Sequence, residues 1–465
     1  MAKAKRKQTR PRGQLRSARP DFVRDDIFLS VAGFKSVREP IELRIAPLTL
    51  ISGTNSAGKS SFMQPFLVMK QTLESGFDPG AILLYGPNAK FTLSKQALSR
   101  GKSRETQAER FTVGLRSGQW GRRIEYVEGP DGFSIGADTV FNSGRELRLT
   151  QNTKSSQLES RVEEFADAND FLLQGIRDNS LFSDYEKISY SVEREGCMLD
   201  VTMRLENSGG FQLNLGSSPF ELHTSLWTSL LRGIIHVPGL RGNPEREYAR
   251  SATGTSFPGT FEIYVASIIL GWAQNEPKML EILSHELESL GLTWKVIGRK
   301  KNDAAVEVLV GRLPHAQQGG ALDMVSVADV GFGVSQTLPV IISLLVAQPG
   351  QIVYLEQPEI HLHPRAQVHL AQALVAAANR GVKVVAETHS SLLIRAIQTQ
   401  IAEGAIRAKA VSMNWFSRDD QTGFSRLDVA SLDDAGRFGD WPLDFDEVMQ
   451  DADLAYIDAI RKHLD

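Results

Sequence analysis

The chain has 465 residues, of which 42% are hydrophobic and 23% are charged, and its formal net charge is −3. These values are typical of a globular protein that is too long for one simple core, so we expect two or three lobes. Cys197 is the only cysteine, which excludes an internal disulfide and a cysteine-based zinc site. Because no apolar run approaches the roughly 18 residues that span a bilayer, we expect a cytoplasmic protein that does not contact the membrane.

The first twenty residues carry basic side chains and no acidic ones. A block of like charge is typical of a solvated, flexible arm, which we place over residues 1–22. Contact between residues 1–20 and nucleic acid is the alternative, since lysine and arginine neutralise phosphates. The arm lacks the apolar core of a signal peptide, so it does not predict secretion.

Hydrophobic periodicity predicts the order of the elements along the chain, and no sustained heptad repeat predicts a coiled-coil arm. Short apolar or alternating runs are typical of strands, and longer runs with a period near 3.6 are typical of helices. The predicted strands lie at 27–31, 41–45 and 48–52, within 111–135 and 187–215, and at 293–297, 305–310, 352–356 and 382–386. The predicted helices lie at 61–70, within 150–185, and at about 260–273, 277–290 and 367–378.

A complete P-loop follows the strand at 48–52, since residues 53–60 read Gly-Thr-Asn-Ser-Ala-Gly-Lys-Ser. In the order strand, glycine-rich loop and helix, the loop amides and the helix N-terminus bind phosphate. Lys59 is expected to reach the β- and γ-phosphates, and the Ser60 hydroxyl is expected to ligate Mg²⁺. The other predicted contacts in the loop are Asn55, Ser56, Ala57, Gly58 and Ser61. The sequence therefore predicts a site for a nucleoside triphosphate.

Two later strands predict the rest of this site. The apolar strand Ile352–Glu356 ends in a carboxylate, which is the pattern of a Walker B strand whose acid reaches Mg²⁺. The strand at 382–386 leads into the polar residues 387–390, and the carboxyl ends of parallel strands are where such sheets bind ligands. We predict that His389 senses the γ-phosphate.

A second anion-binding helix terminus is predicted at residues 331–336, where glycines and a serine precede an apolar helix. The predicted nucleotide contacts are Gly333, Ser335 and Gln336. One nucleotide needs only one such anion-binding helix terminus, so we expect this second terminus to contact a nucleotide held by another subunit.

The order of P-loop, Gly/Ser signature, Walker B strand and His switch resembles the ABC-type ATPase heads of the RecF/SMC/OLD class. The chain is most similar to the stand-alone AAA-family ATPases of prokaryotic anti-phage defence. The motifs that carry the resemblance are Phe34-Lys35-Ser36 and residues 53–61, 330–336, 356–364, 387–390 and 436–447.

The resemblance implies an α/β fold, namely an ABC-ATPase head with a parallel or mixed central sheet, an antiparallel β-subdomain and a helical insertion. We accordingly divide the chain into four parts. These are a basic arm (1–22), the N-terminal part of the head (23–148), an insertion or lid (149–235) and the C-terminal part of the head (236–465).

The resemblance also implies ligands and partners. ATP and Mg²⁺ would bind at sites shared between the subunits of a homo-oligomer, with Lys35 among the nucleotide contacts and Ser60 and Glu356 on the metal. A Q-loop glutamine is expected on the metal side, and Gln96 and Gln71 are both candidates. A separately encoded effector, either a toxin or a nuclease, would be the partner under control.

Two departures from the family pattern predict slow hydrolysis. Gln357 stands where the wider class has the glutamate that polarises water, and an amide cannot accept the proton. Glu359 is the candidate replacement, and the alternative is that it is only a turn or helix-start acid. Ser335 is also displaced by two positions from the usual signature order.

Two other functions compete with a defence regulator. A RecF-like DNA-repair or DNA-loading ATPase is the main alternative, and nothing in the sequence excludes it. An OLD-type nuclease is disfavoured because about 75 residues after His389 are too few for a further catalytic domain.

His361 and His363 could be metal ligands, but we favour a D-loop at a subunit interface.

Overall fold

The computed structural model describes residue 22 and residues 25–101, 107–165, 185–210, 212–214, 224–313, 322–439 and 454. The predicted arm over residues 1–22 lies outside this set except for its last residue, as does the C-terminal motif beyond residue 439. Among the described residues, no helix is both long enough and apolar enough to cross a membrane.

A six-stranded sheet forms the centre of the molecule. Its strand order is β11, β16, β17, β3, β18, β19; the first five strands are parallel, and β19 is antiparallel to β18. The strands are β3 (Leu48–Gly53), β11 (Ile235–Val237), β16 (Ile352–Glu356), β17 (Lys383–Glu387), β18 (Val411–Arg418) and β19 (Ser425–Val429).

Both faces of the central sheet are covered, as its almost uninterrupted apolar strands require. Tyr354 and Val385 contribute to one hydrophobic core, whereas Val353 and Val384 contribute to the other. Helix α1 (Lys59–Leu73) supplies Phe62 and its neighbours to the first core. The helices of the second core are α4 (Val265–Asn275), α5 (Pro277–Ser289), α6 (Phe332–Val346), α7 (Pro364–Asn379) and α8 (Ser391–Ala402).

A second six-stranded sheet is antiparallel and has the order β2, β1, β4, β5, β6, β7. Its strands alternate between buried and exposed residues along much of their length, which is the pattern of a sheet with one face on a core. They are β1 (Ile27–Ala32), β2 (Ile41–Ile45), β4 (Arg110–Ser117), β5 (Trp120–Gly129), β6 (Gly132–Asn142) and β7 (Arg145–Leu149).

The segment predicted as an insertion contains helices and strands. Along the chain, helix α2 (Ser155–Phe165) precedes and helix α3 (Thr224–Arg232) follows an antiparallel sheet of β8 (Tyr185–Glu195), β9 (Met198–Asn207) and β10 (Gln212–Asn214). Buried Arg122 ties this segment to the second sheet, since its Nε lies 2.8 Å from Asp138 and its Nη1 lies 2.6 Å from Thr224 Oγ1. Cys197 is buried here, and burial raises its pKa to about 12, so this thiol is unreactive at neutral pH.

A small antiparallel sheet completes the described structure. It consists of β12 (Tyr248–Ala249), β13 (Val296–Lys300), β14 (Ala305–Gly311) and β15 (Met324–Ser326). The helix predicted from about residue 260 starts as a 3₁₀ turn over Phe261–Tyr264 and becomes α-helical at Val265. The strand predicted at 293–297 is observed at Val296–Lys300.

The predicted fold class is confirmed: the chain is a mixed α/β protein with a parallel central sheet, an antiparallel β-subdomain and helices in the inserted segment. The division into four parts stays a prediction.

Candidate functional site

The P-loop connects β3 to α1, and two of its glycines have positive φ where no side chain fits. Gly53 has φ 138°, and a Cβ there would lie 1.9 Å from the carbonyl oxygen of Phe416. Gly58 has φ 100°, and a Cβ would lie 2.2 Å from Ser425 Oγ and 2.4 Å from Ser36 Oγ. Gly58 caps α1 without a side-chain hydrogen bond, so the start of the helix is left open to an anion.

Lys59 folds back over the loop. Its Nζ donates to the carbonyl oxygens of Gly53 at 3.1 Å and Thr54 at 2.8 Å, and the residue is only 6% exposed. Burial lowers the Lys59 pKa, and the charge of Glu387 opposes this shift. The ammonium is therefore held at the loop by carbonyl groups that a phosphate can replace.

Ser60, the first-turn serine of α1, contacts an acid that the sequence analysis did not single out. Its Oγ donates to Glu387 Oε2 at 3.0 Å, and Glu387 is 3% exposed at the end of β17. Burial and then the charge of Glu356 raise the Glu387 pKa to about 7, against the lowering effects of Ser60, Tyr354 and Lys59. Glu356 was predicted because it is an acidic residue at the end of an apolar strand, and Glu387 fits the same pattern.

Glu356, the predicted Walker B acid, is opposite Glu387 in the pairing of β16 with β17. Its Oε1 lies 3.1 Å from His236 Nε2, and its Oε2 accepts from the Gly239 amide at 3.1 Å. Burial alone would raise the Glu356 pKa, but the contacts with His236 and Gly239 and the charge of Arg241 leave it below its usual value. Glu356 is therefore held as a carboxylate.

Asn88 fixes the proton on His236. Asn88 Nδ2 lies 3.1 Å from His236 Nδ1 and also donates to the Gly259 carbonyl at 2.9 Å. An amide donor at Nδ1 leaves the imidazole proton on Nε2, which then donates to Glu356. The ring is 2% exposed and is stacked on Tyr354 with centroids 5.5 Å apart. Neither Asn88 nor His236 was predicted, because no local motif contains them.

The loop after β16 supports the His switch. Gln357 has a positive φ of 45°, and its backbone N–H donates to the Glu387 backbone carbonyl at 2.9 Å. Glu359 Oε1 accepts from Thr388 Oγ1 at 2.8 Å and from the His389 amide at 3.0 Å. Burial raises the Glu359 pKa despite these hydrogen bonds. These contacts position His389, whose own pKa is lowered by burial and then by the charge of Lys59.

Arg241 joins the signature segment 331–336 to the end of β16. Its Nη1 donates to the Gln336 carbonyl at 3.0 Å, and its Nη2 donates to the carbonyls of Glu356 at 2.9 Å and Gln357 at 3.2 Å. Burial lowers the Arg241 pKa to about 10, although Glu359 and Glu356 oppose this. No local motif contains Arg241, so these contacts were not predicted.

The residues of the signature segment 331–336 differ in their exposure and in their hydrogen bonds. Gln336 is 5% exposed, and its Nε2 donates to the Gly242 carbonyl at 2.8 Å, so its amide is committed within the chain. Ser335 Oγ donates to the Phe332 carbonyl at 3.2 Å, and Gly331 caps α6 without a side-chain hydrogen bond. Within the described part of the chain, no hydrogen bond connects residues 331–336 to the P-loop.

In the part of the chain that the structure describes, no hydrogen bond joins either Q-loop candidate to Glu356 or Glu387. Gln71 is buried, and its carboxamide bonds to the backbone of Leu83, Asn88 and Ala89. Gln96 accepts from the amide of Thr92 at 2.9 Å. The role of Gln96 as a metal ligand stays a prediction.

Lys35 lies next to Ser36, and its contact with nucleotide stays a prediction. It has φ 48°, and its Nζ donates to Gln64 of α1 and lies 4.7 Å from the centre of the Phe91 ring. Ser36, the next residue, packs against Gly58. Burial lowers the Lys35 pKa.

The histidines after β16 have contacts of their own. The rings of His361 and Phe332 are 5.8 Å apart, and His363 Nδ1 accepts from the Arg365 amide at the start of α7. Among the residues that the structure describes, no three histidine, cysteine or acidic side chains cluster as metal ligands.

The site as a whole lies at the carboxyl edge of the parallel sheet. Lys59, Ser60, Glu356, Glu387 and His389 come together there because β17 lies between the P-loop strand β3 and β16. A basic residue and an open helix N-terminus suit phosphate, and a hydroxyl with a carboxylate suits Mg²⁺. The buried Glu387 Oε1 has no hydrogen-bond partner among the described residues, as expected for an atom that faces a cation.

A protein-family model matches part of the chain. Residues 242–395 match the family described as "AAA domain, putative AbiEii toxin, Type IV TA system". This part contains the signature segment, β16 and the His switch, while the P-loop precedes it. No curated protein sequence matches the chain.

Solved structures of SMC heads show a distant likeness. The head bound to the C-winged helix domain of ScpA has 13% identity and a TM-score of 0.43, covering 88% of this chain and 98% of that one. The head domain from Thermotoga maritima has 11% identity and a TM-score of 0.37, covering 88% and 99%. The Pyrococcus furiosus head domain has 12% identity and a TM-score of 0.37, covering 87% and 96%. Similarity at this level carries no conclusion about activity or partners.

Proposed function

We propose that this chain is an ABC-type ATPase that binds ATP and Mg²⁺ at the carboxyl edge of its parallel sheet. The observation that carries the proposal is the P-loop between β3 and α1, with Ser60 hydrogen-bonded to the buried Glu387. Mg²⁺, when bound, neutralises charge on the phosphates. Lys59 and the start of α1 hold the phosphates, Lys35 and Ser61 lie on the nucleotide side, and His389 faces the γ-phosphate.

Nucleotide binding is tested by calorimetric titration of the full chain with a non-hydrolysable ATP analogue and Mg²⁺. We expect saturable binding of one nucleotide per chain, which is lost in competition with excess ATP. Absence of binding to the wild-type protein would contradict the proposal at its base.

We also propose that two copies share each nucleotide. Among the described residues, the start of α6 makes no hydrogen bond to the P-loop of its own chain, so the amides of this helix start and Ser335 are available to a second copy. Phe332 in the first turn of α6 is 49% exposed, and Leu240, which precedes the Arg241 that bonds to Gln336, is 90% exposed. Exposed apolar side chains beside an incomplete ligand site favour burial in an assembly.

The biological role we propose is that of a sensor and regulator of a separately encoded toxin or nuclease in anti-phage defence. The support is the family description, which refers to a toxin and a type IV toxin–antitoxin system. Co-expression of the chain with each neighbouring gene product tests this role. We expect growth arrest that depends on the P-loop, and the absence of any genetic or physical interaction with a neighbour would contradict it.

DNA loading of the RecF type remains the alternative because of the basic residues 1–20. Deleting these residues tests this function by measuring duplex binding over a range of salt concentrations. Steep salt dependence that disappears with the deletion would favour the alternative. We expect the deletion to leave nucleotide binding and assembly unchanged.

The His236→Phe substitution is expected to slow ATP hydrolysis about tenfold, because partners that orient an acidic residue near a metal typically contribute that much. Phenylalanine keeps the stacking on Tyr354 but removes the donor to Glu356. His285→Phe is the matched control, since His285 is exposed on α5. Equal hydrolysis rates in both variants and the wild type would show that His236 has only a packing role.

A further inference from the structure

Two carboxylates are candidates for the cation side of the nucleotide, and their surroundings differ. Both Glu356 oxygens already have partners, because Oε1 lies 3.1 Å from His236 Nε2 and Oε2 accepts from the Gly239 amide. Glu356 is also further from the P-loop in the sheet, since β17 lies between β16 and β3. The acid that the Walker B pattern selects is thus held by its own chain.

Glu387 has the opposite arrangement. Its Oε2 accepts from the Ser60 hydroxyl at 3.0 Å, and its Oε1 is buried with no hydrogen-bond partner among the described residues. The Tyr354 hydroxyl is close enough to this carboxylate to lower its pKa, but among the described residues no contact between the two meets the distance and angle limits of a hydrogen bond. A buried carboxylate oxygen without a partner is costly unless a ligand satisfies it.

We propose that Glu387, rather than Glu356, is the carboxylate of this chain that ligates Mg²⁺ together with Ser60. One or two carboxylates with a hydroxyl, water and phosphate oxygens form the usual oxygen set for this ion. Glu356, held by His236 and Gly239, contributes negative charge from the neighbouring strand. The inference rests on the proposed function, because it specifies which side chain takes the cation of the bound nucleotide.

The test measures metal affinity directly, with Mn²⁺ as a paramagnetic replacement for Mg²⁺. The full chain is saturated with a non-hydrolysable ATP analogue, and bound Mn²⁺ is followed by electron paramagnetic resonance. Wild type, Glu387→Gln and Glu356→Gln are compared. Both variants replace a carboxylate by an amide of the same shape, and the amide oxygen introduced by Glu387→Gln can still accept from Ser60. Nucleotide binding in EDTA reports on the phosphate contacts without the metal.

We expect Glu387→Gln to weaken Mn²⁺ binding at least about tenfold, with a smaller effect in Glu356→Gln and little change in metal-free nucleotide binding. Glu387→Asp keeps the charge and is expected to recover part of the affinity with an altered spectrum. If Glu387→Gln fails to fold, the Mn²⁺ affinity and spectrum of Glu387→Asp test the assignment instead.

Wild-type affinity for Mn²⁺ in Glu387→Gln, with a large loss in Glu356→Gln, would overturn the assignment and leave the proposed function intact. If Glu387→Gln does not fold, wild-type affinity and spectrum in Glu387→Asp would do the same. A wild-type protein that binds no nucleotide, with or without metal, would overturn the proposed function and this inference together.

Discussion

Replacing Lys59 by methionine is expected to weaken ATP binding at least about 100-fold. In the proposed complex Lys59 donates two charge-assisted hydrogen bonds to phosphate, each worth about 1.5–3 kcal/mol, and about 1.4 kcal/mol corresponds to a factor of ten in Kd. Methionine keeps most of the aliphatic stem, which is buried in the loop. The measurement is a fluorescence titration with a labelled ATP analogue in the presence of Mg²⁺.

Lys278→Met is the matched control, because Lys278 is exposed in the first turn of α5. It should bind ATP as the wild type does and should unfold at the same temperature. If the Lys59 variant bound ATP with wild-type affinity, the P-loop would not be part of the nucleotide site, whatever other residues contact the nucleotide.

The Gln357→Glu substitution has the opposite expected effect: ATP hydrolysis should accelerate about 100-fold. A positioned general base contributes typically about 10²–10⁴-fold, and glutamate restores a proton acceptor to the position after the Walker B acid. The two side chains have the same shape, and the backbone bond from Gln357 to the Glu387 carbonyl is unaffected. Steady-state phosphate release at saturating ATP measures the effect, with Gln372→Glu, an exposed residue of α7, as control.

Glu359 decides how a negative result is interpreted. Its bonds to Thr388 and the His389 amide are those of a group that positions the His switch. An unchanged rate in Gln357→Glu, together with loss of hydrolysis in Glu359→Gln, would instead identify Glu359 as the base. Many turnovers per second in the wild-type protein would contradict slow hydrolysis outright.

The elements that build the site could be predicted because each has a local pattern. The P-loop has its own motif, and β3, β16 and β17 are short apolar runs, as buried parallel strands require. Lys59, Ser60 and His389 therefore lie together at the sheet edge as expected. Their contacts to bound nucleotide stay predictions.

The contacts of the acids could not be predicted, because they depend on strand order and on pairs far apart in sequence. Glu387 reaches Ser60 only because β17 is inserted between β16 and β3. Asn88 and His236 are separated by a long segment and meet through tertiary packing alone. Gln71 shows the opposite case. It was a candidate for the Q-loop glutamine, but its side chain is hydrogen-bonded to the backbone of Leu83 and Ala89.

The central claim is that the site is completed between two copies of the chain. Native mass spectrometry of the full-length wild type, with and without ATP and Mg²⁺, tests it most directly, and slow hydrolysis would preserve the bound state during the measurement. We expect ATP to convert the protein into a dimer, or a larger even-numbered assembly, containing one nucleotide per chain, and we expect Lys59→Met not to respond. A monomer that binds ATP and remains strictly monomeric would contradict the claim.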